Sequence, residues 1–227
     1  MKTLIIIPAY NEAENIERVV ENLKNNYPQY DYVVINDGSG DNTAAICKRN
    51  NYNYISHSIN LGLAGAFQTG MKYALRNDYD AAIQFDGDGQ HNPEYIQDML
   101  DKIKEGYDIV VGSRFAEKRK PFSMRMIGNN LIEAAVLLTT GKKIHDTTSG
   151  MRIYNKKMIE KLAQGIDLGP EPDTLALLIR KGAKVSEIQV EMNERTAGES
   201  YLTFTKSLKY MTRMMVSILF LQWFRKG

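Results

Sequence analysis

Short apolar runs rich in β-branched residues alternate along residues 1–112 with longer stretches in which apolar positions recur every three or four residues. The short runs predict strands over residues 4–7, 32–35, 52–56, 81–85 and 109–112. The longer stretches predict helices over residues 12–24, 44–49, 63–75 and 93–103. Strands that alternate with helices of this length are typical of βαβ units, so the pattern predicts an α/β fold with a mostly parallel sheet flanked by helices.

The rest of the chain follows a less regular pattern. A basic loop at residues 118–120 precedes an amphipathic stretch at 122–138, and the string DTTSGMRIY at 146–154 is typical of the entry to a strand. The pattern then predicts a helix over residues 173–181, a strand over 184–190 and a long amphipathic helix over 203–226. Because no repeat, low-complexity tract or linker interrupts the chain, we expect one domain over residues 1–205, followed by a C-terminal amphipathic helix over residues 206–227.

Composition narrows the class of protein. With 43% apolar and 25% charged residues among 227, the chain resembles a globular protein that is long enough to bury a core. The formal net charge of +2 argues against a dedicated nucleic-acid binder, which would be strongly basic. The single cysteine, Cys47, excludes an internal disulfide, suits a reducing compartment and is expected to be a small apolar residue on a helix.

Two apolar stretches are candidates for membrane signals. The run at residues 4–7 is too short for a signal peptide, and it leads into Pro8 and the polar residues Asn11 and Glu12. Polar side chains interrupt residues 211–224, which therefore lack the ~18 apolar residues that a membrane-spanning helix needs. Neither stretch is expected to act as a signal peptide or to span a bilayer.

Polar clusters follow four of the predicted strands: PAYNE the first, NDGS the second, DGDGQH the fourth and GSR the fifth. The carboxyl ends of parallel strands meet at one edge of a sheet, where such folds bind ligands. Ordinary turns would explain the Gly and Asn residues of these clusters, but not the repeated acids and Arg114. The sequence therefore predicts a binding site at this edge.

Asp86 and Asp88 are candidate metal ligands. They follow a predicted strand at alternate positions, which can turn two carboxylates toward one point, and Gly87 lets the backbone approach a ligand closely. Oxygen ligands suit a hard cation such as Mg²⁺ or Mn²⁺, which often bridges substrate phosphates. A solvated acidic turn is the alternative, while the glycine position and the missing terminal glutamate disfavour an EF-hand loop.

Three further features are weak signals of ligand binding when each is taken alone. Asp37 could accept hydrogen bonds from a nucleobase or ribose, although Asp-Gly-Ser is also a common turn. The glycine-rich string at residues 60–70 could receive a phosphate or simply pack a helix closely on the sheet, and it lacks the Lys-Ser/Thr of a P-loop. Arg114, Arg152 and Arg195 are candidate partners of a phosphate or carboxylate.

Seven strings in order make the chain resemble glycosyltransferase family 2, and within it the dolichyl-phosphate mannosyltransferase-like group. The strings are IIIPAYNE at residues 5–12, INDGSGDNT at 35–43, NLGLAGAFQTG at 60–70, DGDGQH at 86–91, GSR at 112–114, DTTSGMR at 146–152 and RTAGES at 195–200. The resemblance covers nearly the whole chain. It implies the GT-A fold and inverting transfer from a nucleotide-diphospho-sugar, with Mg²⁺ or Mn²⁺ as cofactor.

The resemblance also implies roles for individual residues. The implied nucleotide-sugar-binding residues are Pro8, Tyr10, Glu12, Ile35, Asp37, Asp86, Gly87, Arg114, Arg195 and Ser200, and the implied metal-binding residues are Asp86, Asp88 and Gln90. We expect Asp88 and Arg114 to be catalytic, because a cation and arginines stabilise the charge that develops on a leaving nucleoside diphosphate. This chain departs from the family pattern at three positions. It has Asn36 where the family commonly has an aspartate, and Leu63 and Tyr201 where the family commonly has lysines.

The acceptor determines whether the reaction needs a base. A lipid phosphate is already an anion, whereas a sugar hydroxyl must lose a proton. Glu171 and Asp173 are candidates for this catalytic base, or alternatively are acids stabilised by the N-terminus of the following helix.

The C-terminal helix is expected at a membrane surface. Its polar residues form a narrow stripe of Lys206, Lys209, Arg213 and Ser217, and apolar side chains cover much of the remainder, as in interfacial helices. The basic loop at residues 118–125 would add attraction to an anionic leaflet. Packing on the domain or on a partner protein is the alternative. We expect a cytoplasmic protein, peripheral at the inner face of the cell membrane.

Together these features predict a glycosyltransferase that moves a sugar from a GDP- or UDP-linked donor to a polyprenyl phosphate or a lipid-linked saccharide in polysaccharide synthesis. A nucleotidyltransferase would need a glycine-rich basic loop after the first strand, which PAYNE does not provide. The alternative is a catalytically weak, nucleotide-sugar-binding partner protein, because the cations are missing at Leu63 and Tyr201.

Overall fold

The apolar runs form adjacent strands of one sheet in the computed structural model, which describes residues 1–121, 124–165, 168–192 and 204–224, with backbone only at 124–125 and 204–208. The strands in these ranges are β1 Thr3–Ala9, β2 Asp31–Asn36, β3 Tyr54–Ser56, β4 Ala81–Gln84, β5 Ile109–Ser113, β6 Arg152–Asn155 and β7 Val185–Gln189. Their order is β3-β2-β1-β4-β6-β5-β7. Neighbouring strands are parallel, except that β6 is antiparallel to β4 and β5. The predicted mostly parallel sheet is confirmed.

Helices cover both faces of this sheet. Those in the described ranges are α1 Ile16–Asn26, α2 Thr43–Arg49, α3 Gly62–Arg76, α4 Ile96–Lys104, α5 Met124–Thr140, α6 Lys156–Gln164, α7 Pro172–Arg180 and α8 Phe204–Leu219. Leu4 and Ile6 of β1 face the layer of α3 and α5–α8, whereas Ile5 and Ile7 face α1, α2 and α4. Burial on both faces explains why this strand is an uninterrupted apolar run.

Cys47 lies on α2 and is fully buried within the second of these layers. Burial raises the pKa of its thiol to about 11. The expectation of a small apolar residue on a helix is therefore confirmed.

Some elements differ from the sequence prediction. Helix α1 begins at Ile16 rather than at residue 12, because the backbone first turns at Asn11, whose φ is +56°. Helix α6 was not predicted. Its signals are the side chain of Asn155, which accepts a hydrogen bond from the N–H of Met158 at 3.0 Å, and an apolar face that begins at Met158.

The C-terminal helix ends earlier than predicted, at Leu219 rather than residue 226. A short 3₁₀ turn follows, in which the side chains of Gln222 and Trp223 donate hydrogen bonds to carbonyls of the last turn of α8. The Arg180 guanidinium lies 3.5 Å from the centre of the Trp223 ring. Side chains thus cap the helix where the backbone stops. In the described ranges, no helix is both long and apolar enough to cross a membrane.

Candidate active site

The polar clusters gather at one edge of the sheet. The carboxyl ends of β1, β2, β4 and β5 lie there, and the amino end of β6 joins them because this strand runs in the opposite direction. The register places Arg152, the first residue of β6, opposite Gln84, the last residue of β4. The loop that precedes β6 therefore lies beside the loop that follows β4.

A cleft of ≈ 1020 Å³ opens at this edge. The loops after β1 and β2 and the start of α3 line it. Among the nucleotide-sugar-binding candidates, Pro8, Tyr10, Glu12 and Asp37 line the cleft. Ile35 does not, because it is fully buried in the core beneath. Leu63, where the family pattern has a lysine, lies in the cleft wall.

Asp37 is held rigidly at the bottom of the cleft. Its Oδ1 accepts hydrogen bonds from His57 Nδ1 at 2.7 Å and from the N–H of Leu61 at 2.8 Å. His57 Nε2 is 2.9 Å from the hydroxyl of Thr69. Gly38, with a φ of +67°, allows this arrangement, since a Cβ there would be 2.5 Å from the backbone of the β3–α3 loop. Sequence reasoning missed His57, which has no motif of its own.

The loop after β4 carries the candidate metal ligands. Asp88 Oδ1 accepts a hydrogen bond from the N–H of Gln90 at 3.0 Å, across a turn at Gly89 that has a φ of +80°. Gly87 lies against the cleft, because a Cβ there would be 3.1 Å from the carbonyl oxygen of Pro8. Asp86, Asp88 and Gln90 therefore belong to a loop that borders the cleft.

The Asp86 carboxylate is oriented by its neighbours, and its side chain is 38% exposed. Gln84 Nε2 donates to Oδ1 at 3.3 Å, and Nε2 of the buried His91 is 3.4 Å from Oδ2. His91 Nδ1 accepts the N–H of Asp86 at 2.9 Å, which leaves its proton on Nε2. Gly150 lies opposite, where a Cβ would be only 2.9 Å from Oδ2. Sequence reasoning did not single out His91 or Gly150, which lie beside this carboxylate.

The oxygen ligands that this loop offers suit a hard cation that also binds water and substrate phosphates. The described residues contain no cluster of three or more His, Cys, Asp or Glu side chains that would enclose a metal. Two carboxylates and the amide of Gln90 would supply only part of an octahedral shell, and Mg²⁺ and Mn²⁺ commonly complete theirs with water and substrate phosphates. The bare backbone at Gly150 keeps space beside Asp86. The residues present therefore fit Mg²⁺ or Mn²⁺.

Arg114 is fixed by a carboxylate that sequence reasoning did not single out. Its Nε and Nη2 donate to the two oxygens of the fully buried Asp146 at 2.7 and 2.8 Å. These hydrogen bonds raise the pKa of Arg114. Glu187 in turn accepts the N–H groups of His145 and Asp146, at 2.8 and 3.0 Å. The guanidinium is thus preorganised, with 31% of its side chain exposed.

Arg152 is buried beneath the site rather than exposed in it. Only 1% of its surface is accessible, and its guanidinium donates to the carbonyls of Thr147 at 2.6 Å and Glu171 at 3.4 Å. These bonds tie the loop before β6 to the start of α7. Among the described residues, no acceptor reaches its Nε.

The two candidate bases lie at the N-terminus of α7, in contact with α8. Asp173 is 4% exposed, and its Oδ2 accepts the hydroxyl of Ser217 at 2.6 Å. The Glu171 side chain is 25% exposed and lies 3.8 Å from the Arg213 guanidinium. Part of the polar stripe of α8 therefore faces the domain instead of water. Arg195, Ser200 and Tyr201 lie outside the described residues.

Comparison with solved structures identifies the fold. Glucosyl-3-phosphoglycerate synthase from Mycobacterium tuberculosis, in complex with phosphoglyceric acid, matches with a TM-score of 0.71 at 16% identity, covering 100% of this chain and 81% of that chain. Its complex with Mn²⁺, UDP and phosphoglyceric acid gives a TM-score of 0.70 at 15% identity, covering 100% and 80%. The predicted GT-A fold is confirmed.

Sequence comparison identifies the family. The model described as glycosyl transferase family 2 matches residues 4–163. Polyprenol monophosphomannose synthase of Mycolicibacterium smegmatis is 29% identical over 220 residues, which cover 89% of this chain and 81% of the relative. UDP-N-acetylglucosamine–dolichyl-phosphate N-acetylglucosaminyltransferase of Methanococcus voltae is 34% identical over 205 residues, covering 80% and 81%. The chain belongs to glycosyltransferase family 2. It is a glycosyltransferase, and its resemblance to the dolichyl-phosphate mannosyltransferase-like group is confirmed.

Proposed function

We propose that this enzyme transfers a sugar, with inversion, from a GDP- or UDP-linked donor to a polyprenyl phosphate or a lipid-linked saccharide. The main support is the junction of the cleft and the acidic loop. Gly87 touches Pro8, which lines the cleft, while Asp86 beside it keeps an exposed carboxylate. A nucleoside in the cleft would place its diphosphate next to these acids. The relatives named above are polyprenol- and dolichyl-phosphate transferases, which supports the acceptor class.

Asp86, Asp88 and Gln90 would hold Mg²⁺ or Mn²⁺ against the diphosphate. When bound, the cation would neutralise negative charge that develops on the leaving nucleoside diphosphate. Arg114 would add a fixed positive charge on the other side, since its pairing with Asp146 sets the orientation of the guanidinium before substrate arrives.

Glu171 fits the role of base better than Asp173 does. A base must reach the proton that it removes, and Asp173 is buried with its carboxylate bonded to Ser217. Glu171 is the more accessible of the two. With a polyprenyl phosphate as acceptor neither residue needs to act as a base, and Asp173 serves to position the start of α7.

We also propose contact with the inner face of the cell membrane, through α5 and through residues 206–227 as a C-terminal unit. Helices α5 and α8 touch, because a Cβ at Gly128 would overlap the sulfur of Met211. Both helices and the turn after α8 expose large apolar side chains, namely Ile127, Leu131, Leu137, Leu138, Val216, Phe220, Leu221, Trp223 and Phe224. An exposed apolar surface of this kind suits a lipid headgroup region.

A donor screen tests the proposal. Purified chain would be incubated with GDP- and UDP-sugars, Mn²⁺ or Mg²⁺, and polyprenyl phosphate in anionic vesicles, while release of GDP or UDP is followed. We expect release with one donor that depends on both the cation and the acceptor. Chelation of the cation with EDTA should stop it, and added Mn²⁺ should restore it.

Two results would contradict the proposal in different ways. Tight, metal-dependent nucleotide binding without turnover of any donor would favour the nucleotide-sugar-binding partner protein. Turnover with a soluble saccharide but not with the lipid would retain the enzyme and reject the acceptor.

A further inference from the structure

The hydrogen bonds around Asp37 carry information about the donor nucleotide. A carboxylate oxygen has two lone pairs for hydrogen bonds. Both positions on Oδ1 are taken within the protein, by His57 Nδ1 at 2.7 Å and by the N–H of Leu61 at 2.8 Å. Among the described residues no donor reaches Oδ2, and Asp37 lines the cleft. Asp37 therefore offers a ligand one acceptor oxygen rather than two.

The surroundings of Asp37 suit a nucleobase. Only 3% of the residue is exposed, so it lies at the bottom of the cleft, and the nearby lining includes the apolar residues Pro8, Leu63 and Ala66. Apolar surface beside a polar group is typical of sites for flat aromatic ligands. Polar residues elsewhere in the same lining, such as Glu12, Asn42 and Asn60, suit the ribose and the diphosphate of the same nucleotide.

We propose that His57 positions Asp37 as a single acceptor, so that this enzyme takes a uridine nucleotide-sugar rather than a guanosine one. Uracil presents one ring N–H, at N3, which matches the single oxygen Oδ2. Guanine presents two neighbouring donors, N1–H and the N2 amino group, which pair with both oxygens of a carboxylate. Its second donor would face the occupied Oδ1 and remain unpaired, which is costly in a buried site. This inference rests on the proposed function, because it requires a nucleotide in the cleft.

His57 is a positioning residue in this scheme. Its Nδ1 must carry a proton, because the carboxylate can only accept, and its Nε2 contacts the Thr69 hydroxyl at 2.9 Å. Thr69 lies on α3, so the His57 ring connects Asp37, which follows β2, with that helix. Removing the ring would release one lone pair on Oδ1 and allow the carboxylate to rotate.

Calorimetric titration of the full chain with UDP and with GDP, both in the presence of Mn²⁺, tests the inference. We expect wild-type protein to bind UDP at least about tenfold more tightly than GDP. In His57→Phe the ratio should fall toward one, chiefly through weaker UDP binding, while the affinity for Mn²⁺-pyrophosphate stays unchanged. Pyrophosphate does not meet Asp37, so a general loss of structure would lower both affinities.

Two further variants complete the test. Thr69→Val keeps the Asp37–His57 bond and removes its outer support, so it should reduce the ratio partially even if His57→Phe does not fold. Tyr73→Phe is the matched control. Tyr73 lies on the same helix as Thr69, and the substitution removes a hydrogen bond that its hydroxyl accepts from Asn53, so the ratio should stay unchanged.

The outcomes separate this inference from the proposed function. GDP binding as tight as UDP binding in wild-type protein would overturn the inference and leave the transferase intact. A folded His57→Phe variant with the wild-type ratio would overturn the positioning role. Absence of binding by either nucleotide would contradict the proposed function and the inference with it.

Discussion

The two sides of the candidate site are built in different ways. On the donor side, Asp37, Asp86 and Asp88 each follow a parallel strand. The two acids after β4 find their partners within five positions, at Gln84, Gln90 and His91, whereas the β3–α3 loop supplies the partners of Asp37. The acceptor side comprises the candidate bases and Arg114, whose guanidinium would face the diphosphate from that side. Asp146 holds Arg114 and Ser217 holds Asp173, across 32 and 44 positions of the chain. The donor-side residues are therefore positioned by the ends of strands, whereas the acceptor-side residues are positioned by the packing of helices.

This difference has a physical cause. A parallel strand delivers whatever follows it to the ligand edge, so short local motifs suffice there. The antiparallel β6 delivers what precedes it. Helices α7 and α8 are held at the site by their packing on α5 and on each other, and by the hydrogen bond from Arg152 to the carbonyl of Glu171. Changes on the donor side should thus affect binding and turnover first. Changes on the acceptor side should affect stability as well.

Asp88→Asn should give the largest effect and the clearest case of a donor-side change. Loss of one metal-directed charge should reduce turnover about a thousandfold, because the leaving diphosphate loses its counter-charge. The midpoint of thermal unfolding should change little. The exposed Asp98→Asn on α4 is the matched control, measured in the same release assay. Near-normal turnover in Asp88→Asn would show that the metal assignment is incorrect.

Asp146→Asn tests the acceptor side, where stability and activity should fall together. The variant leaves Arg114 without its charged partner beside a fully buried position, which should cost about 3 kcal/mol in the free energy of unfolding. Urea denaturation measures this change. Arg114→Lys should also lose activity, because an ammonium cannot reproduce the two-point contact. If Asp146→Asn changed turnover without changing stability, the contrast between the two sides would be lost.

The double substitution Phe220→Ser and Phe224→Ser tests the proposed membrane surface next to the acceptor side. These side chains are 62% and 85% exposed, so the fold should tolerate the change. Partitioning onto anionic vesicles should fall about tenfold, since less apolar surface enters the headgroup region. Ile59→Ser, at an equally exposed position outside the cleft lining, is the control in the same sedimentation assay. Equal losses in both proteins would argue against a specific surface.

Ser217→Ala should give the smallest effect, about 1 kcal/mol of unfolding free energy, because it removes one buried hydrogen bond to Asp173. Arg213→Ala makes an informative comparison. Its pair with Glu171 is long and largely exposed on the arginine side, so less than about 0.5 kcal/mol is expected. Chemical denaturation of the two variants in parallel distinguishes them, and a larger loss in Arg213→Ala would reverse the assignment of which contact joins α8 to α7.

The sequence was most informative where local rules apply. The β-branched runs predicted the parallel strands, and the position of the acids after the fourth predicted strand placed them at the ligand edge of the sheet. Ile35 shows the limit even here, because the family string that contains it does not distinguish a lining residue from the buried neighbour beneath it.

Long-range contacts explain the remaining misses. Nothing near His57 in the chain indicates that its ring supports Asp37, since the contact joins residues 20 positions apart and forms only when strands and helices assemble. His91 is only five positions from Asp86, but its contact depends on how their loop folds, which the hydrophobic pattern does not predict. The polar stripe on α8 favours an interfacial helix, because helical periodicity separates polar from apolar faces. Periodicity does not indicate which polar side chain contacts a polar group of the domain, and Ser217 donates a hydrogen bond to Asp173.

Gly150 has a consequence for how activity could be switched off. Its φ lies outside the left-handed region, so alanine fits the backbone. A methyl group there is opposed by Asp86, whose Oδ2 and Oδ1 would be 2.9 and 3.3 Å away, and by His91 Cε1 at 3.3 Å. Gly150→Ala would thus crowd the cation site while every acid, base and surface charge stayed in place. This variant would have the charge of the parent protein and bind vesicles as the parent does, but it would not transfer a sugar. It would therefore distinguish effects of membrane binding from effects of sugar transfer.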